Sequence, residues 1–177
     1  MSHMRLKKGF VQVYTGEGKG KTTAAVGLGL RAAGQGLKVY MIQFMKGRRY
    51  GEVAATEEME NFRIEQFGRD EFVRKGDPEE VDVRLAREGL RRAQEIIKGG
   101  EWDVVILDEV NVAVDYGLLS LRDVIELIEM KPPHVELILT GRYAREEIIE
   151  KGDLVTEMVE VKHPFQKGVL ARRGIDF

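Results

Sequence analysis

A glycine-rich segment between an apolar run and an amphipathic stretch constrains this chain more than any other feature of its sequence. It reads Thr15-Gly16-Glu17-Gly18-Lys19-Gly20-Lys21-Thr22-Thr23 and follows the apolar run at residues 10–14. Glycines let a backbone curl so that several N–H groups point at one anion, and the start of the following helix adds its dipole. Lys21 supplies a positive charge and Thr22 a hydroxyl for Mg²⁺. The segment therefore predicts a phosphate-binding loop with Mg²⁺ as a cofactor.

The spacing of the glycines departs from the usual P-loop pattern. That pattern begins with a glycine where this chain has Thr15, and the glycine comes one residue later, at Gly16. A glycine-rich turn with incidental lysines is the alternative. The predicted strand before the segment, the predicted helix after it and the Gly-Lys-Thr-Thr sequence together favour the phosphate site. A dinucleotide-binding loop is not predicted, because its glycines are spaced differently.

Apolar runs alternate with stretches of helical period along the rest of the chain. The strands are predicted near residues 10–14, 38–44, 62–67, 103–108, 135–140 and 154–161. The helices are predicted near residues 21–33, 78–98, 120–129 and 143–150. Such alternation builds parallel sheets covered by helices. The expected fold is therefore α/β: a three-layer, P-loop NTPase-like (RecA-type), mostly parallel sheet of about six strands with helices on both faces.

Two of the predicted helices begin with capping signals. Asp77 and Pro78 suggest an N-cap and a first helical residue for the long central helix. Ser120, followed three residues later by Asp123, indicates the start of the next helix.

The length of 177 residues is close to that of one domain. We assign residues 5–177 to a single nucleotide-binding domain, in which residues 162–177 form an irregular C-terminal tail. Residues 1–4, Met-Ser-His-Met, have the form of an expression-tag remnant.

Composition removes several classes of function. With 28 Lys and Arg against 30 Asp and Glu, the net charge of −2 argues against a bulk electrostatic binder of nucleic acid or membrane surfaces. The absence of cysteine removes disulfides, thiol catalysis and iron–sulfur clusters. No signal peptide and no apolar stretch long enough to span a membrane is visible, so we expect a cytoplasmic protein without a membrane partner.

Two adjacent acids, Asp108 and Glu109, follow the apolar run at residues 104–107. Carboxylates at the C-terminal end of a buried parallel strand lie where ligands bind in open α/β sheets. Without a P-loop nearby, the favoured interpretation would be that Asp108 caps a helix and Glu109 is a solvated side chain. Beside a P-loop, such acids hold Mg²⁺ directly or through water. The spacing leaves open which of the two contacts the metal.

Two arginines are candidates for phosphate contacts. Arg142 follows the predicted strand at residues 135–140, from which a guanidinium could reach a bound phosphate. A surface arginine on a turn is an equal alternative. Arg31 lies in the helix after the loop, well beyond Lys21, and such a residue is more often solvated or ion-paired.

Together these motifs resemble the P-loop type corrinoid adenosyltransferases, that is, the ATP:cob(I)alamin and cob(I)yrinic acid a,c-diamide adenosyltransferases. The matching segments run through nearly the whole chain and are residues 14–25, 31–36, 43–47, 105–109, 139–142, 161–168 and 171–177. The family's own loop carries the shifted glycine, so the departure at Thr15 supports the resemblance.

The resemblance implies a transferase whose substrates are ATP and a reduced corrinoid. Cobalt(I) attacks the ribose 5′ carbon of ATP, a cobalt–carbon bond forms and triphosphate leaves, as in adenosylcobalamin biosynthesis or salvage. The triphosphate is expected to lie in the loop in the opposite orientation to that in an ordinary P-loop NTPase. Mg²⁺, Lys21 and the loop N–H groups would then stabilise charge on the leaving group. No general base is needed, because the attacking metal centre carries no proton.

The resemblance also implies roles for individual residues. Lys21 and Glu109 become the catalytic residues, and Thr22 and Glu109 approach Mg²⁺ with Asp108 behind them. The implied nucleotide-binding residues are Gly16, Glu17, Gly18, Lys19, Gly20, Lys21, Thr22, Thr23, Arg31 and Arg142.

One region departs from the family. Members tend to carry two aromatic residues before the long helix that press on the lower corrin face, where this chain has Phe72 and Arg74. Phe72 is expected to keep the aromatic role, while Arg74 in place of Trp leaves the second corrinoid contact in question. The alternative, of equal weight, makes Phe72 a packing residue of the loop and Arg74 a solvated side chain.

The N-terminal segment that covers the corrinoid in some members is expected to be missing, since few residues separate Met4 from the first strand.

The family suggests a homodimer and an electron-donating partner such as a flavoprotein, with no nucleic-acid partner.

Two functions compete with the adenosyltransferase. A RecA-like ATPase module driving a partner would use the same loop, with Glu109 orienting water. A nucleotide-binding regulator would have no turnover.

Overall fold

Six parallel strands form one sheet in the computed structural model, which describes residues 5–177. They are β1 (Val11–Thr15), β2 (Val39–Phe44), β3 (Phe62–Phe67), β4 (Val104–Asp108), β5 (Glu136–Thr140) and β6 (Leu154–Glu157). Their order across the sheet is β3-β2-β4-β5-β1-β6, and each neighbouring pair is parallel. The predicted sheet is confirmed. The proposed tag remnant at residues 1–4 lies outside the described residues.

Helices cover both faces of the sheet. They are α1 (Lys21–Gly34), α2 (Gly51–Thr56), α3 (Glu80–Gly99), α4 (Val110–Asp115), α5 (Leu121–Glu129) and α6 (Glu146–Lys151). The buried side chains of α1 pack on one face, and those of α3, α4, α5 and α6 pack on the other. Within residues 5–177, no helix is long and apolar enough to cross a membrane.

Strand β2 shows why the central strands are largely apolar. All six of its residues are buried. Val39 and Met41 face the α1 side, whereas Tyr40 and Ile42 face the α3 side, because successive side chains of a strand point to opposite faces. A strand covered on both faces has no solvent-facing position. This arrangement confirms the three-layer α/β class.

Two short helices and several element ends differ from the sequence prediction. Helices α2 and α4, of six residues each, were not predicted. Strand β6 ends at Glu157, earlier than predicted, and Met158 after it bonds to Thr15 of β1 and to Gly18 of the glycine-rich loop.

The start of α3 is a further correction. Glu79 is the N-cap, and its side chain forms a reciprocal capping box with Asp82. The Arg69 guanidinium also holds the Asp82 carboxylate, with N–O distances of 2.8 and 2.9 Å. The helix therefore begins at Glu80, after the predicted Asp77–Pro78 start. The prediction for α5 is confirmed, since the Ser120 hydroxyl accepts the Asp123 N–H at 3.1 Å.

The C-terminal tail is more ordered than predicted. Residues Pro164–Lys167 form a 3₁₀ helix, which begins after His163, whose side chain accepts the Phe165 N–H. This short turn was invisible in the sequence because a single turn has no repeat. The tail folds back toward the glycine-rich loop rather than extending away from the sheet, as the contacts below show.

Candidate functional site

The C-terminal ends of the strands border a cavity of about 790 Å³. Parallel strands end at the same edge of a sheet, and ligands of open α/β folds bind there. Lining residues come from the glycine-rich loop and the start of α1, from the segments after β2, β4 and β5, and from the tail. They include Gly18, Lys19, Gly20, Lys21, Thr22, Thr23, Lys46, Glu109, Arg142, Asp176 and Phe177.

The glycine-rich loop, residues 15–20, is curled around the Lys21 side chain. The Lys21 ammonium donates to the carbonyl oxygens of Gly16 at 2.8 Å and Gly18 at 2.5 Å. Gly16 and Gly20 have φ values of 95° and 119°, which side chains rarely tolerate. A Cβ at Gly16 would also lie 2.4 Å from the Met158 carbonyl oxygen. The glycines are therefore required by the curl that the sequence predicted.

One amide of the loop is already bonded. The Gly18 N–H donates to the Met158 carbonyl at 2.7 Å, and the Met158 N–H donates to the Thr15 carbonyl at 2.8 Å. The residue after β6 thus extends the pairing of β6 with β1 along the loop. This contact was missed by sequence reasoning, because nothing local in the loop identifies a partner so far along the chain.

Asp108 is the centre of a buried polar network. Its Oδ1 accepts the hydroxyls of Thr22 and Thr140, both at 2.7 Å. Its Oδ2 accepts the Lys46 ammonium at 2.7 Å and the Gln43 amide at 3.3 Å. The carboxylate is fully buried, so each of these bonds replaces a lost water. Because Thr22 donates its proton to Asp108, the oxygen lone pairs of Thr22 remain available to a cation.

Glu109 follows in a strained backbone conformation. Its φ of 62° lies in the left-handed region, and its N–H donates to the Thr140 hydroxyl at 3.0 Å. Strained residues of this kind concentrate at functional sites. Burial raises the pKa of the Glu109 carboxyl, and the neighbouring Asp108 charge raises it further. With 27% of its side chain exposed, the carboxylate still borders the cavity.

Burial also affects the pKa values of the two lysines of the site. It lowers the pKa of Lys21, and the nearby Arg142 lowers it further, against the opposing effect of Glu109, Glu17 and Asp108. Burial acts the same way on Lys46, but Asp108 and Glu109 outweigh it and raise the pKa of Lys46 well above its ordinary value. Lys46 is thus held as a cation by its two acidic neighbours.

Lys46 and Gln43 are site residues to which the sequence reasoning gave no role. Both lie on or directly after β2, next to β4 in the sheet. The signal was present, because Gln43 and Lys46 are polar residues at the end of an otherwise apolar strand.

The two candidate arginines have different positions. Arg142 lines the cavity, and its guanidinium lies 3.4 Å from the Glu17 carboxylate. Arg31 lies in the last turn of α1 and does not line the cavity, since the helix carries it about 15 Å along its axis from Lys21. The structure therefore brings Arg142, and not Arg31, to the predicted site.

The tail forms one wall of the cavity. The Lys19 ammonium lies 2.6 Å from the Asp176 carboxylate, and the Arg48 guanidinium lies over the Phe177 ring. Lys19 and the backbone N–H of Arg172 hold the pKa of Asp176 well below its ordinary value. The glycine-rich loop and the tail therefore enclose the cavity between them.

The predicted corrinoid contacts lie on the loop between β3 and α3. Phe72 is fully exposed, whereas its neighbour Val73 packs against the core. The packing alternative for Phe72 is therefore wrong. Arg74 is also exposed, as that alternative proposed. Neither Phe72 nor Arg74 lines the cavity.

The parallel sheet and the curled loop before α1 define the class as P-loop NTPase-like. Within that class, a sequence model of the family ATP:corrinoid adenosyltransferase BtuR/CobO/CobP matches residues 7–177. The chain is 35% identical to the corrinoid adenosyltransferase of Sinorhizobium sp, over 97% of this chain and 81% of the relative. It is 37% identical to that of Escherichia coli K12 and 35% identical to the corrinoid adenosyltransferase CobA of Salmonella typhimurium, in each case over 97% of this chain and 87% of the relative.

The chain therefore belongs to the ATP:corrinoid adenosyltransferase family. The resemblance drawn from the sequence motifs is confirmed.

Proposed function

We propose that this protein transfers the 5′-deoxyadenosyl group of ATP to the cobalt(I) of a corrinoid and releases triphosphate, as part of adenosylcobalamin biosynthesis or salvage. The observation that carries the proposal is the family match over residues 7–177, in a chain whose glycine-rich loop opens onto the cavity. A volume of about 790 Å³ lies within the range of small-molecule sites. The RecA-like ATPase alternative is not favoured.

The reaction needs electrostatic stabilisation rather than proton transfer. The electron pair of cobalt(I) forms the cobalt–carbon bond, while the bond between C5′ and the phosphate oxygen breaks and its pair leaves with triphosphate. Free N–H groups of the loop, Lys21 and Arg142 supply positive charge where that negative charge develops. No side chain has to accept a proton, because the attacking metal centre carries none.

The oxygen donors beside the loop fit Mg²⁺. The Thr22 hydroxyl and the Glu109 carboxylate are hard oxygen ligands, and Asp108 orients Thr22 from behind. Residues 5–177 contain no cluster of three or more His, Asp or Glu residues that could hold a metal ion. Phosphate oxygens and waters would therefore supply its remaining ligands. When bound, Mg²⁺ would neutralise charge on the triphosphate.

Glu109→Gln is expected to raise the Mg²⁺ concentration needed for half-maximal activity by about tenfold, because a neutral amide is a poorer Mg²⁺ ligand than a carboxylate. The measurement is an Mg²⁺ titration of adenosyl transfer, together with corrinoid affinity, which should change little. Glu160→Gln is the control, since Glu160 lines the cavity but contacts Gln166 of the tail. An Mg²⁺ titration identical to that of the wild type would remove Glu109 from the metal site.

Phe72 and Arg74 are proposed as corrinoid contacts on the lower face. An aromatic wall that excludes water and a lower axial ligand makes four-coordinate cobalt easier to reduce. Phe72 is fully exposed and has no packing role to explain its presence. The natural corrinoid, whether cobalamin, cobinamide or the a,c-diamide, would be identified by comparing the three as substrates.

Phe72→Ala is expected to slow adenosylation when cobalt(II) must be reduced on the enzyme, and to matter much less when cobalt(I) is supplied. The melting temperature should be unchanged, because the side chain is exposed. Arg74→Trp should do no harm and serves as the comparison variant. Equal slowing in both assays would reject the lower-face role.

We further infer a cytoplasmic homodimer that receives electrons from a reductant such as a flavoprotein. The support is the family resemblance together with an open sheet edge. Strand β6 has one neighbour, all four of its residues are exposed, and the exposed apolar residues Leu154 and Val155 lie on it. Unpaired edges of this kind invite a second chain. Sedimentation analysis of the purified protein would test the dimer.

One assay separates the proposed function from the ATPase. The protein is incubated anaerobically with ATP, Mg²⁺ and chemically reduced corrinoid, and the absorbance is followed. Adenosyl transfer gives triphosphate and a light-sensitive cobalt–carbon compound. The formation of ADP and phosphate instead would overturn the proposal.

A further inference from the structure

We propose that Lys46 is a displaceable internal cation, which fills the metal position of the nucleotide-free site and leaves it when Mg²⁺ enters with the nucleotide. The inference rests on the proposed function, since it assumes that ATP and Mg²⁺ bind here. Lys46 is then a positioning residue: while its ammonium occupies the metal position, the metal cannot bind there.

The Lys46 ammonium contacts the residues proposed to hold and orient the metal. Its nitrogen lies 2.7 Å from Asp108 Oδ2, 3.3 Å from Thr22 Oγ1 and 4.0 Å from Glu109 Oε1. Only 14% of the side chain is exposed, and Asp108 is fully buried. A buried carboxylate without a compensating cation is costly. Lys46 therefore supplies the charge that a bound metal would otherwise provide.

The ammonium and a divalent cation cannot share this position in the absence of added negative charge. Mg²⁺ binds oxygen ligands at about 2.0–2.1 Å, so a metal on Thr22 would lie within a few ångströms of the Lys46 nitrogen. Like charges so close repel strongly where water is largely excluded. Triphosphate would bring negative charge that attracts the metal to this position and the displaced ammonium to the phosphates. The metal should therefore bind together with the nucleotide.

Lys46 has room to move. Its ammonium lies at the end of a flexible four-carbon stem, and the side chain lines the cavity. The Tyr50 ring lies 5.2 Å from the ammonium and also lines the cavity, so it offers a second favourable contact for the cation. A displaced ammonium would stay in the cavity, where it adds to the charge facing the triphosphate.

Metal binding to the nucleotide-free protein tests the proposal. Mn²⁺ is titrated into the wild type, Lys46→Met and Lys151→Met, and free Mn²⁺ is followed by electron paramagnetic resonance. Lys46→Met is expected to bind Mn²⁺ about tenfold more tightly than the wild type, because the competing charge is gone. Lys151→Met is the matched control, since Lys151 pairs with Glu129 and does not line the cavity. Its affinity should equal that of the wild type.

Two further variants guard against misfolding and against a purely steric effect. Lys46→Gln removes the charge while keeping a hydrogen-bond donor for Asp108, and it should show the same gain. Lys46→Arg keeps the charge and should bind Mn²⁺ as weakly as the wild type. Unchanged affinity in both neutral variants, or a gain in the arginine variant, would overturn the proposal.

The outcome is independent of catalysis, because no nucleotide or corrinoid is present. A gain in Mn²⁺ affinity without adenosyl transfer by the wild type would reject the proposed function and keep the role of Lys46. Transfer by the wild type with unchanged Mn²⁺ affinity in the neutral variants would reject the role of Lys46 alone.

Discussion

Lys21→Ala is expected to lose most ATP binding and turnover while the fold survives. The ammonium is held at the centre of the curled loop by the carbonyls of Gly16 and Gly18, facing the cavity in which we place the triphosphate. Removing one preorganised contact to developing charge costs about 3–4 kcal/mol in the barrier, which is a rate loss of about 10²–10³-fold. Titration calorimetry with ATP and the anaerobic adenosyl-transfer assay measure the two effects.

Lys19→Ala is the matched control for this prediction. Lys19 lies in the same loop and also lines the cavity, but its exposed ammonium pairs with Asp176 of the tail. Its loss should therefore weaken ATP binding much less than the loss of Lys21. Unchanged ATP affinity and rate in Lys21→Ala would show that the loop does not hold the triphosphate.

Asp108→Ala is expected to give the largest loss of stability of any single substitution in the site. The substitution removes the acceptor of Thr22, Gln43, Lys46 and Thr140 and leaves the Lys46 ammonium without its closest counter-ion. Removing one partner of a buried ion pair costs about 3–5 kcal/mol. Urea denaturation of the nucleotide-free protein would report this as a lower unfolding midpoint.

Two controls identify the cause of that loss. Asp70→Ala removes an exposed carboxylate that pairs with Arg48 on the surface, and its midpoint should stay near that of the wild type. Adding Lys46→Met to Asp108→Ala removes the uncompensated charge and should recover part of the stability. A midpoint for Asp108→Ala equal to that of Asp70→Ala would mean that the network contributes little to the free energy of unfolding.

The curled glycine-rich loop and the layered sheet could both be predicted from the sequence. The loop is predictable because its chemistry is contiguous: the glycines that need positive φ, Lys21 and Thr22 all lie within nine residues of Thr15. The sheet is predictable because a strand buried on both faces forms a continuous apolar run, as residues 104–107 of β4 do. Asp108 and Glu109 were found for a related reason, since strand ends are where parallel sheets place their ligands.

The residues that meet around that loop could be identified only from the three-dimensional arrangement of the chain. The partners of Asp108 come from α1, β2, β5 and the segment after β2, and no local pattern links Lys46 or Thr140 to Thr22. The wall formed by Asp176 and the exposure of Phe72 likewise depend on how distant segments pack. Local conformation follows from the steric and hydrogen-bonding preferences of neighbouring residues. The charge balance of a buried site is instead set by side chains that only folding brings within a few ångströms of one another.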